Sequence, residues 1–179
     1  MQHRINLADE DVDAINCFLQ FKYTGEYFPR RLVGSDADGL EKDSSVPEVD
    51  DSGAQLLKHA RVYTLAEKLG VSELKTLAHS KIHRVSSTAR GEIAYARYVY
   101  ANTSADDTII RRPVAAFWAG RSHVLRHEAE QEFRQMCLEF PQFGFDVLTI
   151  VLDHKEKKSH DRVEVEAKGS ARKRPRNAL

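Results

Sequence analysis

Gln55 to Ile82 reads QLLKHARVYTLAEKLGVSELKTLAHSKI, and this stretch decides the fold class. Leu56, Leu57, Ala60, Tyr63, Leu65, Ala66 and Leu69 recur at the three-to-four-residue spacing that gathers side chains on one face of an α-helix. Gly70 ends that helix, because glycine accepts the left-handed conformation a helix terminus commonly needs. Ser72 is placed to cap a second helix carrying Leu74, Leu77, Ala78 and Ile82. Two amphipathic helices joined at a glycine predict a mostly α protein.

The helical pattern continues on both sides. Upstream, Asp9, Glu10 and Asp11 put three acids at a helix start, where they favour the dipole. Val12, Ile15, Phe18 and Leu19 follow at helical spacing with Cys17 beside them, and the helix is predicted to stop at Thr24-Gly25. Before it, Arg4-Ile5-Asn6-Leu7 alternates and predicts at most one short strand. Downstream, Ile93, Ala96, Val99 and Tyr100 mark a helix over Glu92 to Ala101. Thr108 to Leu125 is helical in pattern but holds Pro113, which predicts a kink or a late start there. Glu128 to Leu138 and Pro141 to Leu152 complete the set, with Pro141 suited to a first turn.

Two segments differ in kind. Pro29 to Ser52 carries Gly34, Gly39, Pro47, four serines and seven acids from Asp36 to Asp51, without a sustained apolar period. It is predicted to be a flexible acidic loop that does not pack. From Asp153 to Leu179, nine Lys/Arg face five Asp/Glu, a balance of +4. This charged stretch predicts a disordered tail ending in Arg172-Lys173-Arg174-Pro175-Arg176.

Composition and motifs bound the function. Hydrophobic residues at 41% supply a core, and a formal net charge of +0 gives no whole-molecule attraction to nucleic acid or an anionic membrane. No apolar run approaches the ~18 residues a bilayer span needs. Met1 to Asn6 lacks the basic and apolar regions of a signal peptide, and Cys17 and Cys137 form no framework or CxxC spacing. An intracellular chain, in the cytoplasm, the nucleus or both, is therefore expected. His79 with His83, and His123 with His127, place imidazole pairs on one helix face, but no further ligand follows in an established pattern. His127-Glu128 begins like a zincin motif, yet position 131 is Gln. No nucleophile elbow, P-loop or dinucleotide glycine pattern occurs, so no catalytic, cofactor or metal residue is assigned and no enzyme is expected. The basic cluster Arg172, Lys173, Arg174 and Arg176 admits nuclear import, nucleic-acid contact or simple solubility, although no aromatics interleave to stack bases. Phe18, Phe21, Tyr23, Tyr27 and Phe28 are expected to fill the core or its edge, and Trp118 to lie in the core.

Two stretches in order carry a resemblance. Ile5-Asn6-Leu7-Ala8-Asp9-Glu10-Asp11 followed by Phe18-Leu19-Gln20-Phe21-Lys22-Tyr23-Thr24-Gly25-Glu26-Tyr27 is similar to the third strand and third helix of a BTB/POZ domain. Ala60 to Lys75, with Leu65-Ala66-Glu67-Lys68-Leu69-Gly70-Val71-Ser72-Glu73-Leu74, is similar to the next helical pair of that family. The chain thus resembles an N-terminally truncated BTB/POZ protein of the fungal type. The resemblance implies a partial BTB/POZ fold, the C-terminal half of the domain, over residues 1–84. It treats 30–54 as an acidic insertion and 85–152 as a helical extension, with the charged tail over 153–179. In the family two strands and two helices precede and cover these elements, and the resemblance begins after them, so the first thirty residues are expected to be loosely held with apolar faces partly open.

What the resemblance implies for function is protein–protein interaction in a scaffold or assembly role. The partner is a protein, either a second copy or a cullin scaffold, with no small-molecule substrate. Leu7, Asp9, Phe18, Phe21, Tyr23 and Tyr27 are the implied contact residues. Leu7-Ala8-Asp9 occupies the place of the hydrophobic-x-Glu element of cullin adaptors, with Asp for Glu. A nuclear regulatory factor localised by its basic tail, or a cullin-ligase substrate adaptor, are the alternatives.

Overall fold

The computed structural model describes residues 7, 9–32 and 39–170, with the side chains of 122, 124–126 and 159–170 outside the description. Among the described residues there are seven helices: α1 (Val12–Thr24), α2 (Ala54–Lys68), α3 (Ser72–Ile82), α4 (Ala89–Asn102), α5 (Thr108–Glu128), α6 (Glu130–Glu139) and α7 (Pro141–Ser170). Extended pairing is limited to two isolated bridges, Arg31 with Leu40 and Asp50 with Ser87. The protein is mostly α, and the short strand expected over Arg4 to Leu7 falls almost wholly outside the described residues.

α2 is the central element, packed against α1, α3 and α4. α4 passes the core on to α5 and α6, and α7 lies against both of these. Leu56, Ala60, Tyr63, Leu65 and Ala66 of α2 are buried with Leu74, Leu77, Ala78 and Ile82 of α3, the apolar stripes read from the sequence. A second concentration of the same core is aromatic. Trp118 is fully buried, with Phe133 at 5.2 Å and Phe143 at 6.3 Å between ring centroids, and Tyr100 stands 5.4 Å from Phe143. Offset and edge-on rings of this kind add attraction beyond burial. Tyr100 also donates from Oη to Asp146 at 2.6 Å, tying α4 to α7. Arg111, nearly buried, donates to the carbonyls of Tyr100 and Thr103 and so closes the C-terminal end of α4.

Several boundaries differ from the sequence reading. The residue capping α3 is Val71, and Ser72 already lies inside the helix. α5 runs straight through Pro113, and its non-helical backbone is at Arg121 instead. The proline sits in the second turn, where only the Ile109 carbonyl loses its helical partner. α7 continues to Ser170, where the sequence predicts a disordered tail from Asp153. Glu156, Lys157, Lys158, Glu164 and Lys168 are good helix formers, and no proline intervenes before Pro175. Arg172, Lys173, Arg174 and Arg176 lie outside the described residues.

The end of the acidic segment is anchored, against the expectation that it does not pack. Asp50 is 1% exposed. Its amide donates to the Ser86 carbonyl at 2.8 Å, and its carbonyl accepts from the Thr88 amide at 3.1 Å. Its carboxylate accepts from the amides of Ala54, Gln55 and Leu56 at 2.8–3.1 Å, satisfying the first donors of α2. Two glycines make this approach possible. A Cβ on Gly91 would stand 2.4 Å from the Asp50 carbonyl oxygen, and one on Gly53 would stand 2.8 Å from the Gly91 carbonyl oxygen. Gly91→Ala is therefore expected to cost about 2 kcal/mol, as overpacking against backbone does. A urea midpoint unchanged by this substitution would show that the 50–53 segment is free to move aside.

Candidate protein-interaction surface

The chemistry of α1 starts at its ends. Asp11 caps the helix through a bond from the Ala14 amide at 3.0 Å. At the other end Gly25 adopts φ 73° and its amide donates to the Phe21 carbonyl at 2.8 Å, so Thr24-Gly25 stops the helix as predicted. The N-terminal end is tied to the body. Asp11 pairs with Arg61 of α2 at 3.0 Å, and Glu10 pairs with Lys68.

After the helix, the chain is held by a buried lysine. Lys81 of α3 has no exposed side-chain surface, and it donates to the carbonyls of Tyr27 and Pro29. It pairs with Glu26 at 2.6 Å and lies 3.6 Å from the centre of the Tyr27 ring. Burial pushes the Lys81 ammonium below its ordinary value, while the Glu26 carboxyl opposes this. Burial acts to raise Glu26, but the bonds from Lys81, the Tyr27 amide and Arg31 outweigh it and hold the carboxyl low. Behind this pair Tyr27 Oη and His59 Nδ1 are 2.9 Å apart, and both residues are buried. Residues 10–29 are thus tied by ion pairs and a buried cation, where loose attachment was expected of the first thirty residues.

The helix itself is apolar on two faces. Ala14 and Cys17 are buried toward α2, with Phe18 and Phe21 packed beside them. Val12, Leu19 and Tyr23 lie on the opposite face and are 70%, 46% and 88% exposed, with Ile15 half-buried at the edge of the stripe. Their spacing of i, i+3, i+7 and i+11 makes a continuous band ~16 Å long at 1.5 Å per residue. Single exposed apolar residues are ordinary, but a row of them on one helix face marks a contact surface. The acids Asp9 and Asp13 are exposed at its start, and Lys22 at its end.

The six residues assigned from the sequence separate on this geometry. Tyr23 stands on the open face, and Asp9 is exposed just before the helix. Leu7, Phe18 and Phe21 are half-buried against the core, and Tyr27 is enclosed with its hydroxyl on His59. Tyr23 and Phe28 therefore do not fill the core as expected, and Tyr27 offers no surface. Of the apolar set read from the sequence, Val12 and Leu19 face outward, while Cys17 and Phe18 turn toward the core. The signal was present: Ala14, Cys17, Phe18 and Phe21 form a second helical set half a turn away.

Other concavities are less selective. A cleft of about 360 Å³ between the 40–48 segment, the start of α2 and residues 84–86 has His59 in its wall. Lys42 and Lys58 there are matched by Glu41 and Asp43, so it singles out no charge. Among the described residues no three His, Cys, Asp or Glu side chains gather to hold a metal, and no helix is long and apolar enough to cross a membrane. No known family model matches the chain, and no curated protein or solved structure matches it.

Proposed function

We propose that this protein is a non-catalytic protein–protein interaction module of the BTB/POZ type, docking through the outer face of α1. The observation that carries the reading is the exposed row Val12, Leu19 and Tyr23 on a helix whose other face is already satisfied by the core. What supports the family reading is the sequence likeness itself, with the helix stop at Tyr23-Thr24-Gly25 and the helical pair α2–α3.

A second copy is the partner the surface fits. Two α1 helices laid antiparallel bring the acidic start of each, Asp9 and Asp13, beside the Lys22 end of the other. Burying an apolar side chain contributes about 1.5 kcal/mol at the low end, so six of them give about 9 kcal/mol. Association costs of about 4–15 kcal/mol offset most of that, so the contact is weak and concentration-dependent.

Light-scattering mass of the full chain is expected to rise toward a dimer over the micromolar range. Leu19→Glu combined with Tyr23→Glu is expected to hold the mass at a monomer with an unchanged helical circular dichroism spectrum. A monomer at every concentration, which also fails to bind an apolar dye, would remove the docking face. A dimer that persists in the double variant would place the contact elsewhere.

A further inference from the structure

His79 and His83, four residues apart at the end of α3, have no place in the docking surface. Their rings meet edge to face with centroids 4.5 Å apart, and their Nε2 atoms are 3.2 Å apart. A third electron-rich atom joins them: the Ile109 carbonyl oxygen lies 3.0 Å from His79 Nε2. That carbonyl would bond the amide of residue 113 in an uninterrupted helix, and Pro113 has no N–H to give.

The three atoms are short of protons. A neutral imidazole carries one N–H and one lone pair, so a proton on His79 Nε2 must be shared between His83 and Ile109. With the ring protons on Nδ1 instead, lone pairs from all three atoms converge with no donor among them. Two ring nitrogens bound to one tetrahedral zinc ion at about 2.0–2.1 Å stand about 3.3 Å apart. The observed separation is 3.2 Å.

We propose that His79 and His83 hold a divalent transition-metal ion of the zinc, nickel and copper class, with the Ile109 carbonyl facing the ion or a water on it. Imidazole pairs select these ions over magnesium or calcium, which require oxygen ligands. No third His, Cys, Asp or Glu of the described residues joins the pair, so water completes the shell and the ion exchanges freely. Bound there, it links the end of α3 to the start of α5.

Calorimetric titration of the full chain with zinc chloride is expected to show one ion per chain, and magnesium chloride no heat. His83→Ala removes an exposed ring, and His79→Gln keeps a donor for the Ile109 carbonyl. Each is expected to weaken zinc binding by about tenfold or more while circular dichroism is unchanged. Because the chain has eight histidines, His123→Ala combined with His127→Ala is the control and is expected to bind zinc like the parent. Unchanged affinity in His83→Ala, loss confined to the His123/His127 variant, or no zinc heat at all would overturn the proposal.

Discussion

Asp50→Ala is expected to lower the free energy of unfolding by about 3 kcal/mol or more. Losing an N-cap carboxylate costs about 1 kcal/mol on its own. Here the same group serves three consecutive amides of α2, and its residue is 1% exposed. Removing it strands donors that water cannot easily reach, at about 1–3 kcal/mol each for those left unpaired. Asp50→Asn retains one acceptor oxygen and no charge, so it should fall between the two. Urea denaturation of the three proteins measures this directly. A difference below about 1 kcal/mol for the alanine variant would mean that Ser52 or solvent takes over the cap.

Acid should destabilise the fold well above the carboxylate range, because His59 is buried as a neutral ring. Desolvation is the main cause, with Lys81 and Lys58 adding to it, and the imidazole is pushed down to about 3 from 6.5. The unfolded chain therefore takes up this proton below about pH 6.5, while the folded chain does not until about pH 3. Stability is complete above pH 6.5 and falls as the pH drops through this window. At about 1.4 kcal/mol per pH unit, the loss reaches about 2 kcal/mol by pH 5. His79 and His83 are lowered as well and act in the same direction. Glu92 acts the other way, since burial raises its carboxyl and favours its proton in the fold. His59→Gln should flatten the stability profile between pH 6.5 and 5, whatever it does to stability at pH 7. Parallel profiles for the parent and the variant would assign the acid sensitivity to other groups.

Both effects sit in places that local sequence patterns describe poorly. The stops at Gly25 and Gly70 and the break before Pro141 are local events, decided by residues within a turn of one another, and they are legible. Lys81 is different. It falls on the Leu74 line of α3, seven residues on, and so belongs to the apolar stripe by position although not by chemistry. Its burial depends on carbonyls of Tyr27 and Pro29 more than fifty residues away. Asp50 likewise looks like one acid among seven until the bridge to Ser87 brings it under α2. On the candidate surface the residue types were legible and their facing was not. α1 carries apolar residues on two opposite faces, and only the position of α2 decides which of them is covered. The His79–His83 meeting was visible as spacing, but the orphaned Ile109 carbonyl required knowing that α5 passes through Pro113.

Trp118 is the chain's one tryptophan, and it is enclosed by Phe133 and Phe143 with no hydrogen-bond partner for its indole nitrogen among the described residues. Tryptophan emission, excited selectively over the six tyrosines, is consequently a report from a single address, in the packing of α5 with α6 and α7. Detachment of α1, which packs chiefly on α2, is expected to be silent in this channel and visible in far-ultraviolet ellipticity. Superimposed melts in the two channels mean one cooperative unit, and separated melts mean that the docking helix leaves first.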